Sequence, residues 1–144
     1  MAKTGRMVRA PDKYRGPRQR ADRQHADQQG RTAERVALVY LILTCHRILA
    51  RRWRGSVGEI DLIARRGKRI IFIEVKFRRD AGPGAVPAAA QCRRIERAAA
   101  QFCQQRRISR DFEWRFDLIQ ISPSFGGIFY GIRHLRDAWR ASAD

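Results

Sequence analysis

Apolar and polar positions divide the chain into a polar, arginine-rich start and a patterned remainder. Residues 1–29 (MAKTGRMVRAPDKYRGPRQRADRQHADQQ) hold few apolar residues and show no helical or strand period. That composition predicts a disordered basic tail. From Gly30 the pattern changes. Ala33, Ala37, Tyr40, Leu41 and Thr44 recur at helical spacing, which predicts a helix starting after Gly30 and ending near Cys45. VALVYLILTC at 36–45 makes that helix apolar nearly all round, so it should be largely buried, yet the run is too short to span a bilayer. A strand is expected over RILARRWR, 47–54. Two more, over 58–65 and 69–77, are joined by RRGK as a hairpin. DAGPGAVP at 80–87 reads as a loop. A helix should follow over 88–106, with Cys92, Ile95, Ala99 and Phe102 on one stripe. FEWRFDLIQI at 112–121 is a strand, PSFGG a turn, IFYGIRHL at 128–135 a strand, and RDAWR a terminal helix. The order α-β-β-β-α-β-β-α predicts an α/β domain over 30–144, a mixed sheet flanked by helices.

The hairpin carries charges where buried strands should not. Glu59 and Asp61 alternate along its first strand, Glu74 and Lys76 along its second, and residues two apart share a face. Closing through a turn at Gly67-Lys68 sets Asp61 across from Glu74 and Glu59 across from Lys76. Directly opposed β-carbons lie about 5 Å apart. Glu59 with Lys76 is then a favourable pair, but two carboxylates so placed repel unless a cation joins them. Hard oxygen donors, few in number, suit Mg²⁺ or Mn²⁺, which keep several waters. A plain exposed face of ion pairs accounts for Glu59 and Lys76 but poorly for Asp61 and Glu74.

Charge changes the picture further. The chain holds 31 Lys and Arg against 14 Asp and Glu, a net +17. Such an excess favours a polyanion, most simply nucleic acid. Arg93, Arg94 and Arg97 lie off the apolar stripe of their helix, as a duplex-contacting or merely solvated face. Cys45, Cys92 and Cys103 form no CxxC and read as thiols in a reducing compartment; with no secretory pattern at the N-terminus, cytoplasmic is the default and no membrane partner is expected. The histidines show no metal-ligand spacing.

Asp61 followed by Glu74-Val75-Lys76 resembles the D…(D/E)xK signature of the PD-(D/E)XK nuclease superfamily. The fuller string VGEIDLIARRGKRIIFIEVKFR, with GRTAERVA, RFD and IRHLRDAW, resembles the YraN-like family of small bacterial proteins over about 30–139. The order of acidic helix residue, Asp, then ExK is also similar to archaeal Holliday-junction resolvases. The chain departs from these patterns at Ile60 (a superfamily Pro), at Ala33 and Cys45 (frequent glycines), and near Ala90-Gln91, where a basic residue is often found.

The resemblance implies a restriction-endonuclease-like fold and a metal-dependent nuclease. Asp61, Glu74 and the Val75 carbonyl would ligate Mg²⁺ or Mn²⁺. Lys76 would orient or deprotonate the attacking water, and Glu34 would be an outer ligand. Glu59 is either a supporting partner of Lys76 or a simple ion pair. Asp117 is open between orienting Arg115 and a structural salt bridge. Partners would be nucleic acid, DNA first, with a homodimer as an option. Two alternatives are open from sequence alone: a nucleic-acid-binding module of the same fold with little cleavage, and a basic protein-interaction adaptor.

Overall fold

A computed structural model describes residues 17–80, 82 and 85–141. The chain runs α1 (Pro17–Leu43), β1 (Arg47–Arg54), β2 (Glu59–Arg66), β3 (Arg69–Phe77), α2 (Ala89–Gln105), β4 (Glu113–Ser124), a 3₁₀ turn (Phe125–Gly127) and β5 (Phe129–Trp139). The five strands form one sheet in chain order. All neighbours are antiparallel except β3 and β4, which are parallel and joined through α2. This is the mixed α/β architecture expected, consistent with a nuclease-like α/β fold.

The two helices cover opposite faces of the sheet. Ala33, Ala37 and Leu41 of α1 pack on Leu62, Ala64, Ile71, Ile73, Val75, Ile119 and Ile121. Small residues at the first two contacts let that helix lie close to the strands. On the other face, Ile95, Ala98, Ala99 and Phe102 of α2 pack on Ile60, Ile63, Ile70, Phe72 and Phe116. β3 is the spine: it alternates Ile71, Ile73, Val75 toward α1 with Ile70, Phe72 toward α2. Trp53 packs edge-on against Phe102 and Trp139 stacks on Phe116, so both are core aromatics.

Two expected elements change. α1 begins at Pro17, so residues 17–29, expected within the disordered tail, are helical; residues 1–16 of that tail lie outside the described residues. The terminal helix over RDAWR is instead the end of β5. Five residues cannot sustain a helix alone. Here the Asp137 N–H donates to the buried Asp117 carboxylate (3.0 Å) and Trp139 pairs with Phe116, which hold the segment as strand.

α1 stops in a Schellman turn. The Cys45 N–H donates to the Ile42 carbonyl (3.1 Å) and the His46 N–H to the Leu41 carbonyl (2.9 Å). Cys45 takes the left-handed conformation (φ 61) that the turn requires and that glycine usually supplies.

Candidate active site

β2 and β3 pair in the expected register from Arg66↔Arg69 to Leu62↔Ile73. Beyond Leu62 the pairing ends, and the Asp61 side chain takes over the next backbone donor. Its Oδ2 accepts the Val75 N–H at 2.7 Å. The ladder between β1 and β2 likewise runs from Arg51↔Leu62 to Trp53↔Ile60, passing over Asp61. The strict alternation expected along β2 therefore fails here. Ile60 and Ile63 face α2, with Leu62 and Ala64 between and beyond them facing α1. Asp61 sits at this irregularity, beside Glu74 in space but bonded to the backbone of β3, not set squarely across from Glu74.

Glu74 follows the spine's alternation onto the α2 face and is only 7% exposed. Two donors hold its Oε1: the Gln91 amide at 2.6 Å, from the first turn of α2, and the Lys76 ammonium at 2.7 Å. Oε2 carries neither. Lys76 is thus paired with Glu74. The expected pair of Lys76 with Glu59 does not form, because the strands have parted before that register. Glu59 lies opposite Arg54 of β1 and bonds its guanidinium at 3.0 Å, with a side chain 62% exposed.

Glu34 comes from α1. Its carboxylate pairs with Arg52 Nε at 3.4 Å, and Arg52 is itself in a left-handed conformation (φ 45). Three carboxylates thereby act on one another. Burial pushes the Asp61 carboxyl up to about 7, and the neighbouring Glu74 charge pushes the same way. The Val75 N–H bond opposes the rise, Glu34 adds to it, and Lys76 relieves it.

The donors fit a hard divalent ion. Asp61 and Glu74 supply carboxylate oxygens, and burial first, then the Glu74 charge, disfavours the ionised Asp61 that a cation would relieve. Among the described residues no group of three His, Cys, Asp or Glu side chains forms a metal cluster. Two carboxylates are a sparse set, suited only to an ion that keeps most of its waters.

Arg93, Arg94 and Arg97 are exposed on α2, the helix whose first turn holds Gln91 against Glu74. Gly58 sits against that helix: a β-carbon there would lie 3.3 Å from the Arg94 carbonyl. The β1–β2 turn is tied to the same helix by Gln101, which accepts the Ser56 N–H at 3.0 Å and donates to its hydroxyl at 2.9 Å. Sequence reasoning missed Gln91 and Gln101 as partners of the site and its loop.

Asp117 belongs to a separate structural network. It is fully buried, takes two bonds of 2.8 Å from Arg115, and lies 2.6 Å from His134 Nε2. Tyr40 Oη is 3.0 Å from His134 Nδ1. Burial alone would raise the Asp117 carboxyl, but the His134, Arg115 and Asp137 N–H bonds outweigh it and hold the group below its usual range. Nearby, burial and the charge of Arg66 hold the His46 imidazole below its usual value.

No helix among the described residues is long and apolar enough to cross a membrane. The profile of a family described as Uncharacterised protein family UPF0102 matches residues 33–121. A UPF0102 protein of Parvibaculum lavamentivorans is 41% identical over 115 residues, 77% of this chain and 80% of the relative. One of Agrobacterium fabrum is 43% identical over 103 residues (70% and 84%), and one of Nitrobacter winogradskyi 43% over 95 residues (65% and 80%). The matched span holds Asp61, Glu74, Lys76 and Glu34.

Proposed function

This chain belongs to UPF0102, and we propose that it is a metal-dependent endonuclease-like phosphodiester hydrolase acting on nucleic acid, with DNA as the first substrate. The observation that carries this reading is the Asp61 carboxylate set at the parting of β2 and β3, where it takes the Val75 N–H at 2.7 Å and where burial and the Glu74 charge both disfavour its ionised form. A structural ion pair has no use for such an arrangement; an oxygen site for a divalent cation does. Asp61, Glu74 and the Val75 carbonyl would hold Mg²⁺ or Mn²⁺. Bound there, the ion would polarise the scissile phosphate and acidify water.

The chain's own groups have distinct tasks. Gln91 fixes the Glu74 carboxylate by donating to Oε1. Lys76, 2.7 Å from Glu74, orients the attacking water and neutralises charge developing on the phosphate oxygens. Water oxygen adds to phosphorus and one P–O ester bond breaks, giving a phosphate monoester and a free hydroxyl. Glu34 adds negative charge from outside the pair. Arg93, Arg94 and Arg97 contact flanking backbone without reading sequence. The net charge of +17 gathers the polyanion. The unpaired thiols of Cys92 and Cys103 are buried, which suits a reducing compartment and hence the cytoplasm.

A second reading, binding without efficient cleavage, is favoured by the tight tether of Lys76 to Glu74. Incubation with labelled linear, forked and four-way DNA, in Mg²⁺, in Mn²⁺ and in chelator, separates the two. Cleavage should need metal and disappear in Asp61→Asn and Lys76→Ala while binding survives. Binding without cleavage on every substrate, RNA counterparts included, would leave only the second reading.

A further inference from the structure

The sheet continues past the candidate active site, and its next two strands carry a polar row that the reading above does not use. In the parallel ladder Lys76 registers with Gln120 of β4, and in the antiparallel ladder Gln120 registers with Arg133 of β5. Registered side chains on neighbouring strands stand on one face, at steps of about 4.8 Å. Ile119 and Ile121 point to the α1 side, so Gln120 shares the α2 face with Lys76. α2 covers Glu74 through Gln91, and beyond it the buried Gln120 borders a cleft. A cleft of about 180 Å³ lies there, lined by Arg78, Asp80, Gln120, Ser122, Gly131 and Arg133.

Two details suit this cleft to an anion. Gln120 is only 5% exposed, yet its side-chain NH₂ has no acceptor among the described residues. Leaving a buried amide donor unmade is unfavourable, and rotation of the amide exchanges its two ends, so the donor can be turned to a ligand in the cleft. Gly131 keeps the floor open, since a β-carbon there would lie 3.0 Å from Ser122 Oγ. Arg78 and Arg133 outweigh Asp80 in charge, and a guanidinium is the side chain best shaped for a phosphate.

We infer that this cleft is a phosphate subsite continuous with the active site, in which Gln120 and Arg133 hold a backbone phosphate flanking the scissile one. The inference rests on the nucleic-acid reading and names how the strand is positioned beyond Lys76. Gln120 supplies a neutral donor at the floor and Arg133 a charged fork at the wall. Both act by positioning, since neither reaches the bond that breaks.

The test measures binding of a labelled single-stranded oligonucleotide by fluorescence anisotropy, in chelator, across a salt series, with the full chain. Gln120→Leu should bind about tenfold more weakly with an unchanged salt slope, because it removes a donor without a charge. Its melting temperature should hold or rise, because the unpaired amide is gone. Arg133→Ala should weaken binding and reduce the salt slope by about 1, and Arg133→Lys should restore the slope. Lys68→Ala, at the far end of the hairpin, is the comparison for a general loss of positive charge. If Gln120→Leu binds like the wild type, or Arg133→Ala loses no more than Lys68→Ala, the subsite is overturned. Competition by millimolar inorganic phosphate at matched ionic strength would mark the cleft as a free-anion site and overturn the backbone assignment. Cleavage is not read in chelator, so absent Mg²⁺-dependent cleavage with the binding changes intact would sink the nuclease reading and leave the subsite standing.

Discussion

Asp61→Asn should make the protein more stable in chelator at neutral and alkaline pH while abolishing metal-dependent cleavage. The Asn carbonyl can still accept the Val75 N–H that Asp61 now takes at 2.7 Å, so the local backbone has no cause to move. What changes is the charge. A carboxyl raised from 3.8 to about 7 by burial and by Glu74 has its ionised form disfavoured in the folded state. At 1.36 kcal/mol per pH unit the full difference is about 4 kcal/mol, and solvent screening at this partly exposed group reduces the expectation to about 2 kcal/mol. Because the folded value is the higher one, this carboxyl destabilises nothing below pH 3.8, and its penalty grows as pH rises toward 7 and then levels. The assay is urea or thermal unfolding of both proteins between pH 4 and pH 8. The gap should be near zero at about pH 4 and reach about 2 kcal/mol above pH 7, or roughly 6 °C for a chain of this size. Titrating groups remote from Asp61 are common to both proteins and cancel in the difference. Mg²⁺ should then close the gap by stabilising only the wild type. A gap that ignores pH, or a variant less stable than wild type at pH 8 in chelator, would refute the account of Asp61.

Three further outcomes follow from other contacts. Gln91→Ala releases Glu74 Oε1, and cleavage should fall about tenfold or more, with oligonucleotide affinity in chelator unchanged. Cys45→Gly removes a side chain from a left-handed helix end and should raise stability by about 0.5–1 kcal/mol, read from the urea midpoint. Asp117→Ala strands Arg115 and His134 and should cost about 3 kcal/mol or more in the same measurement. Since the folded Asp117 value is depressed, its contribution is present above the unfolded carboxyl range and is lost as pH falls through the folded one. That adds to acid unfolding.

The sheet was legible because its signals are apolar and periodic. Ile70 to Phe77 alternates between two packed helices, and the turn at Gly67-Lys68 then gave the register seen from Leu62↔Ile73 to Arg66↔Arg69. The first half of α1 was not legible. Residues 18–28 are exposed, so no apolar stripe marks them as helix. The end of β5 was hidden because its shape depends on Asp117 and Phe116, which lie far away in sequence. At the candidate site, pattern brought Asp61, Glu74 and Lys76 together but gave Lys76 the wrong partner. A side chain that bonds to a neighbouring backbone leaves no trace in a period of two. Gln91 did leave a trace: a polar, uncharged residue on the first turn of the second helix, where the resemblance led one to look for a basic one.

The loss of pairing around Asp61 is better understood as the physical condition for the site than as a defect of the sheet. In a continued ladder the Asp61 side chain would stand out from one face, and Val75 N–H would be satisfied by β2 backbone. Instead Asp61 lies beside the strand, takes that N–H itself, and reaches the plane where Glu74 arrives from the α2 face. The same parting frees Lys76 from Glu59 and hands it to Glu74. On the far side, the left-handed Arg52 lets β1 pass over Asp61 and gives its guanidinium to Glu34. A left-handed arginine costs on the order of 1 kcal/mol, and a crowded, partly buried carboxylate costs more. Both penalties fall on one short stretch flanked on either side by well-paired apolar strand. That stretch, and not the core, is therefore where a bound cation has the most to relieve.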